Sequence, residues 1–311
     1  MSGASGQCLS LHFGAPAEPA FATDAGGAAP CAVRLAVRLA VLLLLPVLSL
    51  PAQAREIKLA TWDLGWFTLR SGSDPALPEH VRPATANDTA RLRRYAAALD
   101  ADVIALQGVD GPDAAALLFP APAYAIHMTQ DDVLQRTGFA VRAGLAFAPE
   151  PDATALDPYP GARLRLRSGA AIAVHAGSTV LHLLSVHLKS GCREAPLSAS
   201  DPACATLRLQ AAALRRWIAA TQGASAVAGD FSRVMDDADA FGPALGNGLV
   251  RATAGRASPC RGGQRFVDHI ILGGAAGTWL HPGSLRVLTW PADQPALPAH
   301  CAVSVRLDLP D

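Results

Sequence analysis

The chain has 311 residues, half of them hydrophobic and 17% charged, which is enough to bury a sizeable core and too apolar for a disordered polymer. Its 26 basic and 26 acidic side chains balance, so the overall charge excludes the whole-molecule attraction to nucleic acid that marks domains with a pI above about 9. A polyanionic partner would need a local basic site.

Residues 1 to 54 read as a leader. Small residues, Pro and Gly are followed by Arg34 and Arg38, then by the apolar run Leu39 to Leu50, then by Ala52-Gln53-Ala54. A positive flank, a short apolar stretch and small residues in that order form a signal peptide. Cleavage is expected before Arg55, with export to the periplasm or the extracellular space. Pro46 and Pro51 interrupt the run, and it is shorter than the ~20 residues of a membrane span, so no stable span is expected to remain. Cleavage removes Arg34, Arg38, Glu18 and Asp24 and leaves the charge balanced. Residues 55 to 311 are expected to form one domain that works as a monomer.

The leader also takes Cys8 and Cys31, leaving Cys192, Cys204, Cys260 and Cys301. An even set in an oxidising compartment predicts two disulfides. Three pairings can be drawn. Cys192 with Cys204 is favoured because it closes a polar loop between two predicted elements, which leaves Cys260 with Cys301; loop entropy gives each about 3 to 4 kcal/mol. A zinc site is disfavoured, since no pair of cysteines has the C-x-x-C spacing.

Ile57 to Trp62 is an apolar strand that ends in Asp63-Leu64-Gly65-Trp66, and Pro75, Pro78 and Pro83 mark the loop after it. From Asp88 to Leu99 the residues Leu92, Tyr95, Ala96 and Leu99 recur at helical spacing, with Asn87 or Asp88 as the cap. Val103 to Leu106 is the continuous apolar run of a strand buried on both faces. Further strands are predicted at Tyr124 to Met128, Gly138 to Val141, Ala170 to Val174 and Val180 to Val186. A helix follows over Ala205 to Thr221, with Leu207, Ala211, Leu214 and Ile218 on one face. Ala224 to Ala228, Phe266 to Leu272 and Ala302 to Leu309 complete the strands. Many strands with a few covering helices predict an α/β protein with layered, mixed sheets.

In several places an apolar strand runs straight into polar residues: Thr61-Trp62-Asp63-Leu64-Gly65, Ala105-Leu106-Gln107-Gly108-Val109, Ser185-Val186-His187-Leu188-Lys189-Ser190-Gly191-Cys192, Ala228-Gly229-Asp230-Phe231-Ser232-Arg233 and Phe266-Val267-Asp268-His269-Ile270. Polar groups at neighbouring strand ends converge on one site. Singly each is weak, because a histidine after a strand is commonly structural and Gly-Asp is commonly a turn. Their order carries the weight.

In order and approximate spacing these segments resemble the signature of the endonuclease/exonuclease/phosphatase family, W-N, Q-E, H-L-K-S, G-D-F-N, D-H and a final S-D-H, over residues 57 to 309. The His-Leu-Lys-Ser-Gly-Cys run, with Cys204, Gln210, Trp217 and Ile218 after it, is similar to a secreted bacterial branch. The resemblance implies a four-layer sandwich of two face-to-face mixed β-sheets flanked by helices, and a phosphodiesterase, nuclease or phosphatase site at the sheet ends that uses Mg²⁺ or Mn²⁺. It implies that His187 contacts phosphate, that Asp230 orients or activates the attacking water, and that Asp268 pairs with the terminal His300. Lys189, Ser232 and Arg233 are candidate phosphate contacts.

The chain departs from the pattern at Gly108, where the family has a metal-binding glutamate, and at Asp63, Ser232 and Ala299, where it has asparagine, asparagine and aspartate. Asp63 is a candidate replacement metal ligand. Asp110 is another, because two residues beyond Gly108 a continuing strand returns to the same face. Two readings follow. The first is an exported hydrolase of phosphodiesters or phosphate monoesters, nucleic acid being one such substrate that net charge does not indicate. The second is a pseudoenzyme without a cofactor, which binds a phosphate-containing ligand or a protein partner and does not hydrolyse it.

Overall fold

A computed structural model describes residues 55–291, 297, 298 and 300–310. The leader, its cleavage point and Ala299 lie outside the described residues.

The alternation of strand side chains between two buried faces organises the chain. β1 (Arg55–Phe67), β2 (Val103–Val109), β3 (Tyr124–Met128) and β4 (Arg136–Arg142) are joined in one six-stranded sheet by two late strands, β11 (Arg286–Val287) and β12 (Val303–Leu309), in the order β11-β12-β1-β2-β4-β3. The second sheet has the order β5-β6-β7-β8-β10-β9, from β5 (Ala146–Ala153), β6 (Gly169–Ala176), β7 (Thr179–His187), β8 (Ala224–Asp230), β9 (Val250–Arg251) and β10 (Asp268–Gly273). Each sheet is mixed: β1 runs parallel to β2 and antiparallel to β12, and β7 runs parallel to β8, which is antiparallel to β10.

Between the sheets lies a dry core to which both contribute, including Leu59, Ala105 and Val305 from the first and Ile172, Leu183, Ala226 and Ile270 from the second. The opposite face of the first sheet carries Trp62, Ile104 and Leu106, covered by α1 (Ala86–Leu99) and α2 (Pro112–Leu118). The opposite face of the second carries Leu184, Val227 and Ile271, covered by α3 (Pro202–Ala220) and α4 (Phe241–Leu245). Strands buried on both faces explain the continuous apolar runs, and the result is the four-layer α/β sandwich expected from the sequence.

Local signals account for most boundary differences. The cap of α1 is Thr85, in place of Asn87 or Asp88: the Thr85 hydroxyl accepts from the Asp88 amide while the Asp88 carboxylate accepts from the Thr85 amide, a reciprocal capping box. Asp201 caps α3 and Pro202 opens it, three residues before the predicted start. Both expected bridges are present, Cys192–Cys204 and Cys260–Cys301. Among the described residues no helix is long and apolar enough to cross a membrane.

Candidate functional site

At one end of the sandwich the inward-facing positions change from apolar to polar. On β1 the inward series Ile57, Leu59 continues as Thr61 and Asp63; on β2, Val103 and Ala105 lead to Gln107. On β7, Leu181 and Leu183 lead to Ser185 and His187, and on β8, Ala224, Ala226 and Ala228 lead to Asp230. β10 runs the other way and begins at this end with Asp268, ahead of the inward Ile270 and Leu272. Register places His187 opposite Asp230, Asp230 opposite Asp268, and Asp63 opposite Gln107. The strand-end segments singled out in the sequence therefore meet on one inner surface.

The floor of that surface is a buried hydrogen-bond chain across both sheets. Thr61 Oγ1 donates to Gln107 Oε1 at 3.0 Å, Gln107 Nε2 donates to Ser185 Oγ at 2.9 Å, and Ser185 Oγ donates to the Leu106 carbonyl at 2.9 Å. Each of these side chains finds a partner, as burial demands. The chain of bonds fixes the spacing of the sheets directly beneath Asp63 and His187.

Asp63 and Asp230 are held alike. Each passes one oxygen to the backbone two residues on: Asp63 Oδ1 accepts from the Gly65 amide at 2.6 Å, and Asp230 Oδ1 accepts from the Ser232 amide at 2.5 Å. The Ser232 hydroxyl adds a bond to Asp230 Oδ2 at 3.2 Å. The Oδ2 atoms face His187 Nε2 at 3.8 Å for Asp63 and 3.7 Å for Asp230, beyond hydrogen-bond range. One ligand atom from each of Asp63, His187 and Asp230 lies within 4.8 Å of the others. All three residues are buried. Clustered hard oxygens without mutual hydrogen bonds suit an oxygen-seeking divalent cation.

His300 and Asp268 form a finished pair, with His300 Nδ1 at 3.0 and 2.9 Å from the two carboxylate oxygens. Burial alone would lower the His300 imidazole, but Asp268, with Asp63 and Asp230 behind it, pushes it up to about 10. Burial likewise raises Asp230, reinforced by Asp268 and Asp63, to about 8. Burial also acts to raise Asp63, yet the His187 and His300 imidazoles and the Gly65 amide more than offset it and hold it below the usual range. Burial, with Arg167 adding to it, pushes His187 down to about 3. The site thus holds a neutral histidine, a cationic one, an anionic aspartate and an aspartate that titrates near neutrality, the divergence expected of acid–base machinery.

The neutral His187 has a preferred tautomer. Its Nδ1 is buried without a hydrogen-bond partner, whereas Nε2 faces two carboxyl groups. An unpaired buried N–H costs more than an unpaired acceptor, so the proton belongs on Nε2. That makes His187 a donor into the site.

Gly108 explains how Asp63 reaches this position. It has φ +68°, and a Cβ there would lie 2.4 Å from the Gly65 carbonyl oxygen, 2.7 Å from the Gly65 nitrogen and 2.7 Å from Asp63 Oδ1. The β1–β2 ladder shifts register between Asp63 and Phe67, and the β2–β4 ladder between Leu106 and Val109. Only glycine fits this crowded bulge.

The same bulge redirects Asp110. The period-two step from Gly108 does not survive it, and Asp110 Oδ2 accepts from Thr68 Oγ1 at 2.7 Å and from Arg70 Nε at 2.8 Å; among the described residues Asp110 is not in the cluster with Asp63. Arg233 is also placed elsewhere. It is buried, forms an ion pair with Asp239 and donates to the Cys192 and Ala195 carbonyls, which ties the segment after β8 to the loop that the Cys192–Cys204 bridge closes. Lys189 is half-buried beside the site, its Nζ donating to the Ser190 carbonyl at 2.8 Å.

Arg167 and Gln135 were not foreseen. Arg167 donates to the His187 carbonyl at 3.0 Å and to Gln135 Oε1 at 3.3 Å, and Gln135 Nε2 donates to the Gly65 carbonyl at 2.7 Å. This second bridge ties the end of β7 to the bulge in β1, and no local sequence signal marks it. The other grouping of metal-ligating side chains among the described residues, Glu56, His281 and Asp308, lies mostly exposed at the other end of β1, where Glu56 pairs with Arg306 and His281 with Asp308.

Comparison with known proteins adds to this geometry. The profile described as "Endonuclease/Exonuclease/phosphatase family" matches residues 60–294. No curated protein matches. Among solved structures, the chain is similar to D. rerio TDP2 complexed with a single strand DNA product (16% identity, 81% of this chain and 98% of that one, TM-score 0.55). It is also similar to an endonuclease/exonuclease/phosphatase from Bacteroides vulgatus (15%, 82% and 99%, TM-score 0.53). A third neighbour is a variant of the 3' phosphatase NExo from Neisseria bound to a product DNA hairpin (14%, 81% and 99%, TM-score 0.51). At such identities the likeness establishes the fold.

Proposed function

The chain belongs to the endonuclease/exonuclease/phosphatase family, and we propose that it is an exported hydrolase of phosphodiesters that works with a divalent cation held at Asp63. The observation that carries the reading is the turning of Asp63 Oδ2 and Asp230 Oδ2 into one buried space, with His187 Nε2–H beside them as a donor. Mg²⁺ or Mn²⁺ bound there supplies positive charge against the phosphate, and Mg²⁺ is commonly held by only one or two protein carboxylates. Asp63 is the natural ligand because its environment keeps it anionic.

The remaining roles follow from the protonation states. His187 donates from Nε2–H to a phosphate oxygen. His300, cationic and held by Asp268 through Nδ1, offers its other N–H to the charge that develops on the phosphate or the departing oxygen. Asp230, whose Oδ2 faces the same space as His187 Nε2, is the carboxylate we assign to accept a proton from the attacking water once it is ionised. Lys189, two residues after His187, is assigned a second phosphate oxygen, while Ser232 holds the Asp230 carboxyl in place. Asp110 and Arg233, engaged elsewhere, take no part. Support for export comes from the leader and from the two disulfides.

Gly108, standing where the family pattern has a glutamate, favours the second reading, a protein that binds a phosphate group without hydrolysis. One assay separates the two: the purified protein with bis(p-nitrophenyl) phosphate, p-nitrophenyl phosphate and single-stranded DNA, with Mg²⁺, with Mn²⁺ and with EDTA. Cation-dependent turnover that disappears in His187→Ala establishes the hydrolase. Saturable binding of phosphate compounds without turnover establishes the binder.

A further inference from the structure

His300 and Asp268 reach each other from different sheets. Asp268 opens β10 in the second sheet, whereas His300 stands three residues before β12 in the first. Among the described residues between β11 and β12 there is no strand or helix. The next residue is Cys301. Its partner Cys260 opens a short 3-10 turn, Cys260–Gly262, in the segment that runs into Asp268.

The Cys260–Cys301 bond, with a Cα–Cα distance of 5.9 Å, therefore joins the two chain segments that deliver the pair. Cys260, Cys301, Asp268 and His300 line one small cavity of about 60 Å³. On the far side of the bridge the Ala302 amide donates to Tyr95 Oη at 2.8 Å and the Ala302 carbonyl accepts from the Leu288 amide at 3.0 Å. The Cys192–Cys204 bridge is different in kind: both its cysteines are fully buried in the packing of α3 against the second sheet.

We infer that Cys260 and Cys301 are positioning residues for His300, their bridge clamping the histidine against Asp268. The inference rests on the hydrolase reading for its catalytic consequence, but the positioning has a readout of its own. Holding a group within a fraction of an ångström is what an active site needs from its surroundings, and a misplacement of about 1 Å costs on the order of 10²-fold in rate. A clamp that sits on the residue next to His300 sets that distance.

The test compares wild-type protein with Cys260→Ser/Cys301→Ser and, as a control, Cys192→Ser/Cys204→Ser. The first readout is the titration of the His300 imidazole by NMR, assigned with His300→Gln; it needs no turnover. Removing the clamp lowers the apparent pKa of His300 by about one unit or more as Asp268 ceases to face it at fixed distance. The Cys192/Cys204 control leaves that titration in place. The second readout is a mutant cycle on kcat: loss of the clamp lowers kcat about 10-fold or more with little change in KM, and has no further effect in a His300→Ala background.

If the serine variant does not fold, the folded wild type is treated with a dithiol. The reductant gives two electrons and two protons to the bridge, leaves two thiols and is itself oxidised to a disulfide. Mass spectrometry of blocked thiols identifies which bridge opened. An unchanged His300 titration after the Cys260–Cys301 bond is lost overturns the inference, whether or not the protein turns over substrate. An equal drop in kcat in the His300→Ala background overturns it as well.

Discussion

His300 and Asp268 satisfy each other at 2.9 to 3.0 Å, while a short distance away Asp63 and Asp230 each turn one oxygen toward His187 at 3.8 and 3.7 Å and bond with nothing across that space. The first pair is complete as protein; the second group turns its carboxylate oxygens into a shared space, where we propose the cation binds. The contrast teaches how the chain differs from its family's pattern. The histidine–aspartate pair matches the signature read in the sequence; on the other side Gly108 stands where that signature has glutamate, with a conformation and a closeness to Gly65 that no side chain tolerates, beside the Asp63 carboxylate.

The largest effect is expected at the two histidines, His300 of the completed pair and His187 of the open group. His300→Ala and His187→Ala should each lower kcat on a phosphodiester by about 10² to 10⁴-fold, with Asp268→Asn intermediate, and steady-state kinetics on folded variants will read it. Equal rates in His300→Ala and wild type would dissolve the distinction between the two sides.

The next largest tests the side that holds Asp63 and Gly108. Restoring a carboxylate by Gly108→Glu is expected to damage the protein, because the new Cβ meets backbone at 2.4 Å and the residue must hold φ +68°. Overpacking and a left-handed residue together cost at least about 2 kcal/mol, measurable by denaturant unfolding. A Gly108→Glu protein as stable as wild type that binds Mn²⁺ more tightly would contradict this account of the bulge.

Smaller effects come with pH. His187 and His269 are both pushed down to about 3, chiefly by burial, so between that value and an ordinary histidine pKa near 6.5 the unfolded chain binds protons that the folded one does not. Stability therefore falls as pH falls through this window, by on the order of 1 kcal/mol per pH unit for each histidine. His300 acts oppositely: its folded pKa is about 10, so its contribution is complete below about 6.5 and fades as pH rises toward 10. Unfolding curves from pH 4.5 to 9.5, with His269→Gln and His300→Gln, separate the two arms. The smallest effect belongs to Lys189→Ala, a half-exposed cation whose loss should raise KM a few-fold, about 1 kcal/mol or less, and leave kcat nearly unchanged.

Much of this site was legible because a strand has period two: a run such as Leu181, Leu183, Ser185, His187 announces where an inner face turns polar, and several such runs in family order fix both the fold and the meeting point. What failed to read through was of two kinds. Pro149 and Pro151 hid β5, an edge strand where proline is tolerated, and α2, which Pro112 opens, is too short to show a helical period. The second kind concerns partners distant in sequence. Asp110 meets Thr68 and Arg70, Arg233 meets Asp239, and Arg167 reaches Gln135 and through it Gly65; none of these contacts has a period or a motif, and a bulge at Gly108 invalidates the counting that pointed Asp110 inward.

The most direct test of the central claim is the rate of bis(p-nitrophenyl) phosphate hydrolysis against Mn²⁺ concentration for wild type and Asp63→Ala. The account predicts saturable activation in the wild type, abolished by EDTA, and a half-saturating Mn²⁺ concentration raised about 10-fold or more in the variant. A rate indifferent to the cation, or the same activation curve in Asp63→Ala, would contradict it.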